Sequence, residues 1–234
     1  MSVLGIISIV VCALLAVAFI ALRATKGGIG ALLLKILASL GFVVTGLLAI
    51  AESKLMINNW AMILIVIGLL FGMIGDIVLD LKVIYEGNDK YYLNCGMGSF
   101  FLGHVCYIVA FSLIAGETIS ITLPLLISLA CALVLTIGIT LSSKKMGLQY
   151  GNYIWQTVGY TLILTFAMCY LIALSIAGAS LWLAFVGMVA FFLSDVVLSF
   201  QYFSGKIASK PLIVVNHALY YMAQIILASV LFIL

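Results

Sequence analysis

WAMILIVIGLLFGMIGDIVLDL, residues 60–81, runs for sixteen residues without a charge and then sets Asp76 and Asp80 one helical turn apart. A helix rises about 1.5 Å per residue, so this stretch is long enough to cross the roughly 30 Å hydrocarbon core of a bilayer. It therefore reads as a membrane span with a carboxylate inside it. Seven further apolar runs of similar length lie at 2–22, 33–51, 96–115, 120–141, 153–175, 180–201 and 211–233. The composition agrees: 67% of the 234 residues are hydrophobic, 7% are charged, and the mean hydropathy is +1.41, which excludes a soluble globular domain. The expected fold is an all-α polytopic membrane protein of eight transmembrane helices, a single integral membrane domain over 1–234.

The charges set an orientation. Arg23, Lys26, Lys82, Lys90, Lys144, Lys145, Lys206 and Lys210 fall between helices 1–2, 3–4, 5–6 and 7–8, and Lys35 stands at the start of helix 2 on that side. The opposite side has only Lys54. The positive-inside rule makes those four loops cytoplasmic and puts both termini outside. The net charge of +3 is thus a topology signal and points to no nucleic-acid partner. Arg23 and Lys26 follow the first apolar run instead of preceding it, so that run is expected to be a retained helix. A compact chain of this kind suggests a bacterial inner membrane. Cys12, Cys95, Cys106, Cys131 and Cys169 stand singly and read as small core hydrophobes.

The chain also resembles itself. GLLFGMIGDIVL (68–79) aligns with GMVAFFLSDVVL (187–198), pairing Asp76 with Asp195, and each is followed by a helix with His-x-x-Tyr: His104 and Tyr107, then His217 and Tyr220. A displacement of four helices preserves orientation, so two parallel four-helix repeats are expected, 1–117 and 118–234. Measured from the apolar boundaries, Asp76, Asp195, His104 and His217 all lie roughly 9–12 Å below the cytoplasmic surface. That depth predicts one polar chamber. His217, Tyr220, Tyr221 and Gln224 follow i, i+3, i+4, i+7 and share a face of helix 8, while Gln156 and Tyr160 share a face of helix 6; both faces are expected inward.

Bland readings exist for many of these residues. Asp80 beside Lys82 reads as an interfacial residue, and the histidines, Tyr220, Tyr221 and Gln224 are open to a role in helix–helix hydrogen bonding. Asp76 and Asp195 are harder to explain that way, since a carboxylate within a span is normally paired or functional. Two such groups close together can divide their roles, one holding a proton as general acid and the other remaining an anion, as in glycoside hydrolysis. Two His and two Asp on four separate helices lack local metal-ligand spacing, so neither metal nor cofactor is expected.

LFGMIGDIVLDL, GSFFLGHVCYIVAF, FFLSDVVLSFQYF and HALYYMAQIIL together resemble the YhhN-like lysoplasmalogenase family, also called the transmembrane protein 86 family. Lys35 matches a lysine that opens the family's second helix, with Ile36 in place of its proline. The resemblance implies hydrolysis of the vinyl ether bond of a lysoplasmalogen to a fatty aldehyde and glycerophospho-ethanolamine or -choline. A lysophospholipid within the membrane lipid would be the partner. On that basis Asp76 and Asp195 supply acid and anion in unassigned order. His104, Tyr107, Tyr220 and Gln224 would position water or the sn-2 hydroxyl, with His217 and Tyr221 supporting them and Lys35 or Arg23 meeting the phosphate. The alternative is a proton-coupled membrane transporter, although such sites usually lie near the midplane at broken helices. An intramembrane aspartyl protease fits less well, because Ile74 occupies the first glycine of its Gly-x-Gly-Asp element.

Overall fold

A computed structural model of the chain describes all residues except 54–58, 86, 206–208 and 234, so Lys54 and Lys206 lie outside the described residues. Among the described residues the regular structure is entirely helical. Eight helices, each long and apolar enough to span a membrane, follow in order: α1 (Val3–Thr25), α2 (Gly28–Glu52), α3 (Asn59–Ile84), α4 (Asp89–Gly116), α5 (Thr122–Ser143), α6 (Ile154–Leu174), α7 (Trp182–Phe203) and α8 (Lys210–Ser229). Helices are the natural form for such runs, because hydrocarbon offers no partner to an unpaired backbone N–H or C=O.

Several helices begin outside their apolar runs. Helix α2 starts at Gly28 and α4 at Asp89, several residues before the hydrophobic stretches at 33 and 96. Apolarity marks the part that lies in hydrocarbon, whereas backbone hydrogen bonding continues through the polar boundary. The α1–α2 connection is correspondingly tight: Lys26 N–H still bonds Leu22 C=O at 2.9 Å, and Gly27 and Gly28 turn the chain at φ of +64° and +74°. Only glycine takes this path without strain. At the other end of the same pair, Ser2 caps α1 by accepting from Gly5 N–H and donates its own N–H to the Glu52 carboxylate at 2.7 Å.

Sequential hairpins α1/α2, α3/α4, α5/α6 and α7/α8 form the framework, with α2 on α3, α4 on α6 and α6 on α7. Helix α8 lies against α1, α2, α3 and α7. Half of the apolar window is buried in α3 and in α8 against 17% in α5, so polar groups carried by α3 and α8 end up inside. Adjacency of successive hairpins is common to many bundles and does not by itself establish the two-repeat arrangement.

Helices α3 and α4 approach through small residues, as membrane helices commonly do. A Cβ at Gly68 would stand 2.6 Å from the Tyr107 ring, and one at Gly103 would stand 3.1 Å from the Gly68 carbonyl oxygen. Gly68→Ala is therefore expected to displace Tyr107 and cost about 1–3 kcal/mol by overpacking. Gly98→Ala, on α4 with open space around it, is expected to be neutral or slightly stabilising. Thermal unfolding of the two variants in detergent checks the contrast.

Candidate active site

Two pairs of side chains at i, i+4 face each other across the α2–α3 contact. Helix α2 presents Lys35 and Ser39, and α3 presents Asp76 and Asp80. Lys35 Nζ lies 3.1 Å from Asp80 Oδ1 and 3.3 Å from Asp76 Oδ1, and Arg23 in the last turn of α1 places Nη2 3.4 Å from Asp80 Oδ1. Two cations and two carboxylates thus balance in one cluster. Lys35 is 4% exposed, Asp76 and Asp80 2% each.

The second oxygen of Asp76 is held by hydroxyls. Ser39 donates to Oδ2 at 2.6 Å and Tyr220 at 2.8 Å. Gln224 Nε2 in turn donates to the Tyr220 hydroxyl at 2.9 Å, and the Tyr107 hydroxyl donates to Gln224 Oε1 at 3.2 Å. Every donor in this chain points toward Asp76. Gly72 makes room for it, since a Cβ there would run into the Gln224 amide. Tyr221, on the other side, reaches the Ser39 hydroxyl at 3.1 Å and the Lys35 carbonyl at 3.3 Å.

Asp195 on α7 has a different environment. It accepts from the Tyr160 hydroxyl at 2.5 Å and from its neighbour Ser194 at 3.4 Å, and none of the ion pairs among the described residues includes it. Asp76 and Asp195 nevertheless line the same cavity, with Arg23, Lys26, Lys35, Asp80, His217 and Tyr220. Its volume is about 360 Å³, and it opens at the end of the bundle that carries the basic residues. A second, apolar cavity adjoins it, lined by residues of α4, α6 and α7 such as Met97, Leu164 and Phe192. Asp195, Phe100, Leu198 and Tyr202 belong to both walls.

The structure changes four readings of the sequence. Lys35 does not sit at the surface start of helix 2. It lies seven residues beyond Gly28, about 10 Å along the axis, because the helix begins earlier than its apolar run. Asp80 is not interfacial, since Lys35 and Arg23 compensate its charge inside; Lys82 instead pairs with Asp89 at 3.9 Å. His104 does not share the chamber. It lies outside the lining of the polar cavity, its ring 4.6 Å from the Phe191 ring, and neither ring nitrogen has a hydrogen-bond partner. Gln156, in the first turn of α6, is exposed, while Tyr160 one turn on reaches Asp195.

The other expected residues divide into those on the cavity wall and those behind it. His217 and Tyr220 line the wall, with the His217 ring edge-on to Phe19 at 4.9 Å. Tyr107, Tyr221 and Gln224 stand behind, acting through hydrogen bonds. Ser39 and Asn216, which donates to the Ser194 carbonyl at 2.8 Å, carry no motif of their own; the spacing of Ser39 four residues after Lys35 is the signal in the sequence for one of them. Among the described residues no three His, Cys, Asp or Glu side chains gather as a metal-ligand set.

No curated protein and no solved structure matches the chain. Residues 30–231 match the YhhN family, and they carry the carboxylates, Lys35 and the α8 face described above. With that match spanning all but the first helix, the chain belongs to the YhhN family.

Proposed function

We propose that the protein is a membrane-embedded lysoplasmalogenase that hydrolyses the vinyl ether of a lysophospholipid, with Asp195 as general acid and Asp76 as the fixed anion. The observation that carries this reading is the unequal partnering of two carboxylates on one cavity wall. Asp76 has a lysine and two hydroxyl donors, so its charge is compensated and its geometry fixed. Asp195, half-buried on the cavity wall, has no cation beside it, and a poorly solvated charge without a counter-ion is costly, so it is the carboxyl that carries a proton. Family membership supports a hydrolase of this class.

Vinyl ethers react by protonation at carbon. The Asp195 carboxyl proton goes to the alkenyl carbon β to oxygen, and the ether oxygen lone pair forms an oxocarbenium ion. Water adds to the α-carbon and returns a proton to the Asp195 carboxylate, leaving a hemiacetal. Collapse of the hemiacetal breaks the bond to the glycerol oxygen, which takes up a proton, and releases the aldehyde. The negative potential of Asp76, fixed before reaction, favours the cationic intermediate without reorganisation. The Tyr220 hydroxyl, pinned between Asp76 and Gln224, offers an oriented oxygen beside the same wall.

The two cavities match the two parts of the substrate. The apolar one suits the alkenyl chain, the polar one the glycerophospho group, and Asp195 stands where they meet. With the basic end cytoplasmic by the positive-inside rule, head group and water enter from that side.

Purified protein in detergent is expected to release fatty aldehyde from a 1-alkenyl lysophospholipid. Asp195→Asn should lower kcat by about 10²–10⁴, the usual worth of a general acid, and Asp76→Asn should be similarly impaired with the fold intact. Near-parental rates in both variants would exclude the mechanism, and substrate uptake into sealed vesicles without aldehyde would favour a transporter. Lys35→Met is expected to cost about 3–5 kcal/mol of stability, because it strands two buried carboxylates with Arg23 as their one remaining cation. Its thermal midpoint should recover when Asp80→Asn is added, which removes one of the stranded charges.

A further inference from the structure

Arg23 Nη1 and Asp80 Oδ2 are buried and have no hydrogen-bond partner, although their sister atoms, Nη2 and Oδ1, face each other at 3.4 Å. Buried polar atoms are satisfied in the great majority of cases, so an orphaned donor beside an orphaned acceptor asks for a ligand with the opposite pair. Both residues line the polar cavity, and Lys26 adds a second cation to the same lining. Other buried orphans, the His104 nitrogens and the Thr157 hydroxyl among them, lie outside this lining. We propose that Arg23 and Asp80 form a clamp for the glycerophosphate of the substrate: Arg23 Nη1 donates to a phosphate oxygen, and Asp80 Oδ2 accepts from the sn-2 hydroxyl. This inference rests on the reading of the protein as a lysoplasmalogenase.

The chemistry of the ligand fits the spacing. The sn-2 hydroxyl and the phosphate ester oxygen stand on adjacent glycerol carbons, so the anionic non-bridging phosphate oxygens, one phosphorus further on, lie within a few ångströms of a hydroxyl donor. Arg23 and Asp80 present the complement, already joined through their inner atoms. Guanidinium is suited to this task because its donors lie in a fixed plane, one edge on Asp80 and the other free. The clamp leaves the sn-1 carbon, with its vinyl ether, free to reach Asp195, which lines the same cavity. An acylated sn-2 oxygen has no hydrogen to donate, so Asp80 makes the site selective for lysolipids. Arg23 and Asp80 are thus specificity-determining residues, while the acid and the anion remain Asp195 and Asp76.

The test compares three vinyl ethers of one chain length on the unaltered protein: the lysophospholipid, its 2-deoxy analogue, and the 1-alkenylglycerol that lacks phosphate. Losing either partner of the clamp should lower kcat/KM about 10–100-fold, the worth of a charge-assisted hydrogen bond. In Arg23→Gln the preference for the phosphate-bearing substrate over 1-alkenylglycerol should collapse toward one, while discrimination against the 2-deoxy analogue persists. Glycerophosphocholine should compete, and inorganic phosphate at the same concentration should not. Equal turnover of the three substrates by the parent, or equal inhibition by inorganic phosphate, would overturn the clamp. If Arg23→Gln fails to fold, the comparison on the parent decides alone. A folded parent that releases aldehyde from none of them would refute the proposed reaction instead. The clamp would then be judged by whether glycerophosphocholine raises the thermal midpoint of the parent, absence of a shift overturning it.

Discussion

Lys35 bridges Asp76 and Asp80 where α2 meets α3, and the rest of the polar interior depends on that placement. Three charges in a bundle of mostly apolar helices are tolerable only if opposite charges neutralise them. The lysine neutralises both carboxylates in part, Arg23 completes the balance, and Ser39 and Tyr220 occupy the far oxygen of Asp76. Because the four charged groups come from α1, α2 and α3, the cluster fixes the relative positions of the first three helices. Tyr220 and Gln224 then bring α8 into the same network.

That arrangement explains why the two halves of the carboxylate pair differ. Asp76 and Asp195 follow similar local sequences, yet α2 supplies a lysine and a serine to the first, whereas α6 supplies the neutral Tyr160 to the second. One carboxylate is therefore tied into a charge-balanced network and the other is held by hydroxyl donors alone. The proposed division of labour between proton donor and fixed anion rests on these neighbours, with no difference needed in the carboxylates themselves.

Much of this was legible in the residues, and what was not has a common cause. Long uncharged runs determine helix number because the bilayer sets a minimum length, and Asp76 and Asp195 stand out because ionisable groups are rare there. Hydropathy, however, locates the hydrocarbon boundary and not the helix end. Lys35 reads as a surface residue and His104 as a chamber residue from that boundary, but the neighbours each meets are decided by the packing of α2 on α3 and of α4 on α6. Partners across helices were invisible for a different reason. Spacing within one helix shows which residues share a face, as for Tyr220 and Gln224, but nothing in α7 announces that Asp195 will meet Tyr160 of α6 and no cation. Asp80 combined both difficulties, lying near an apolar boundary and taking its partners from α1 and α2.

The form of the interior also weighs between an enzyme and a carrier. Alternating-access transporters commonly bind near the midplane, where interrupted helices expose backbone groups and one half of the fold rocks against the other. Here α3 and α7 run unbroken through the residues that bear the carboxylates, and the polar cavity opens at one end of the bundle. The Lys35 cluster ties α1, α2 and α3 together at that end, and Tyr220 ties α8 to them through Asp76. A polar pocket that opens at one end of the bundle favours the proposed protonation of a bound lipid over passage of a solute from side to side. The proposed vinyl ether hydrolysis would ask for little more than that: a placed acid, a fixed anion, and water that reaches the intermediate from the side where the polar product leaves.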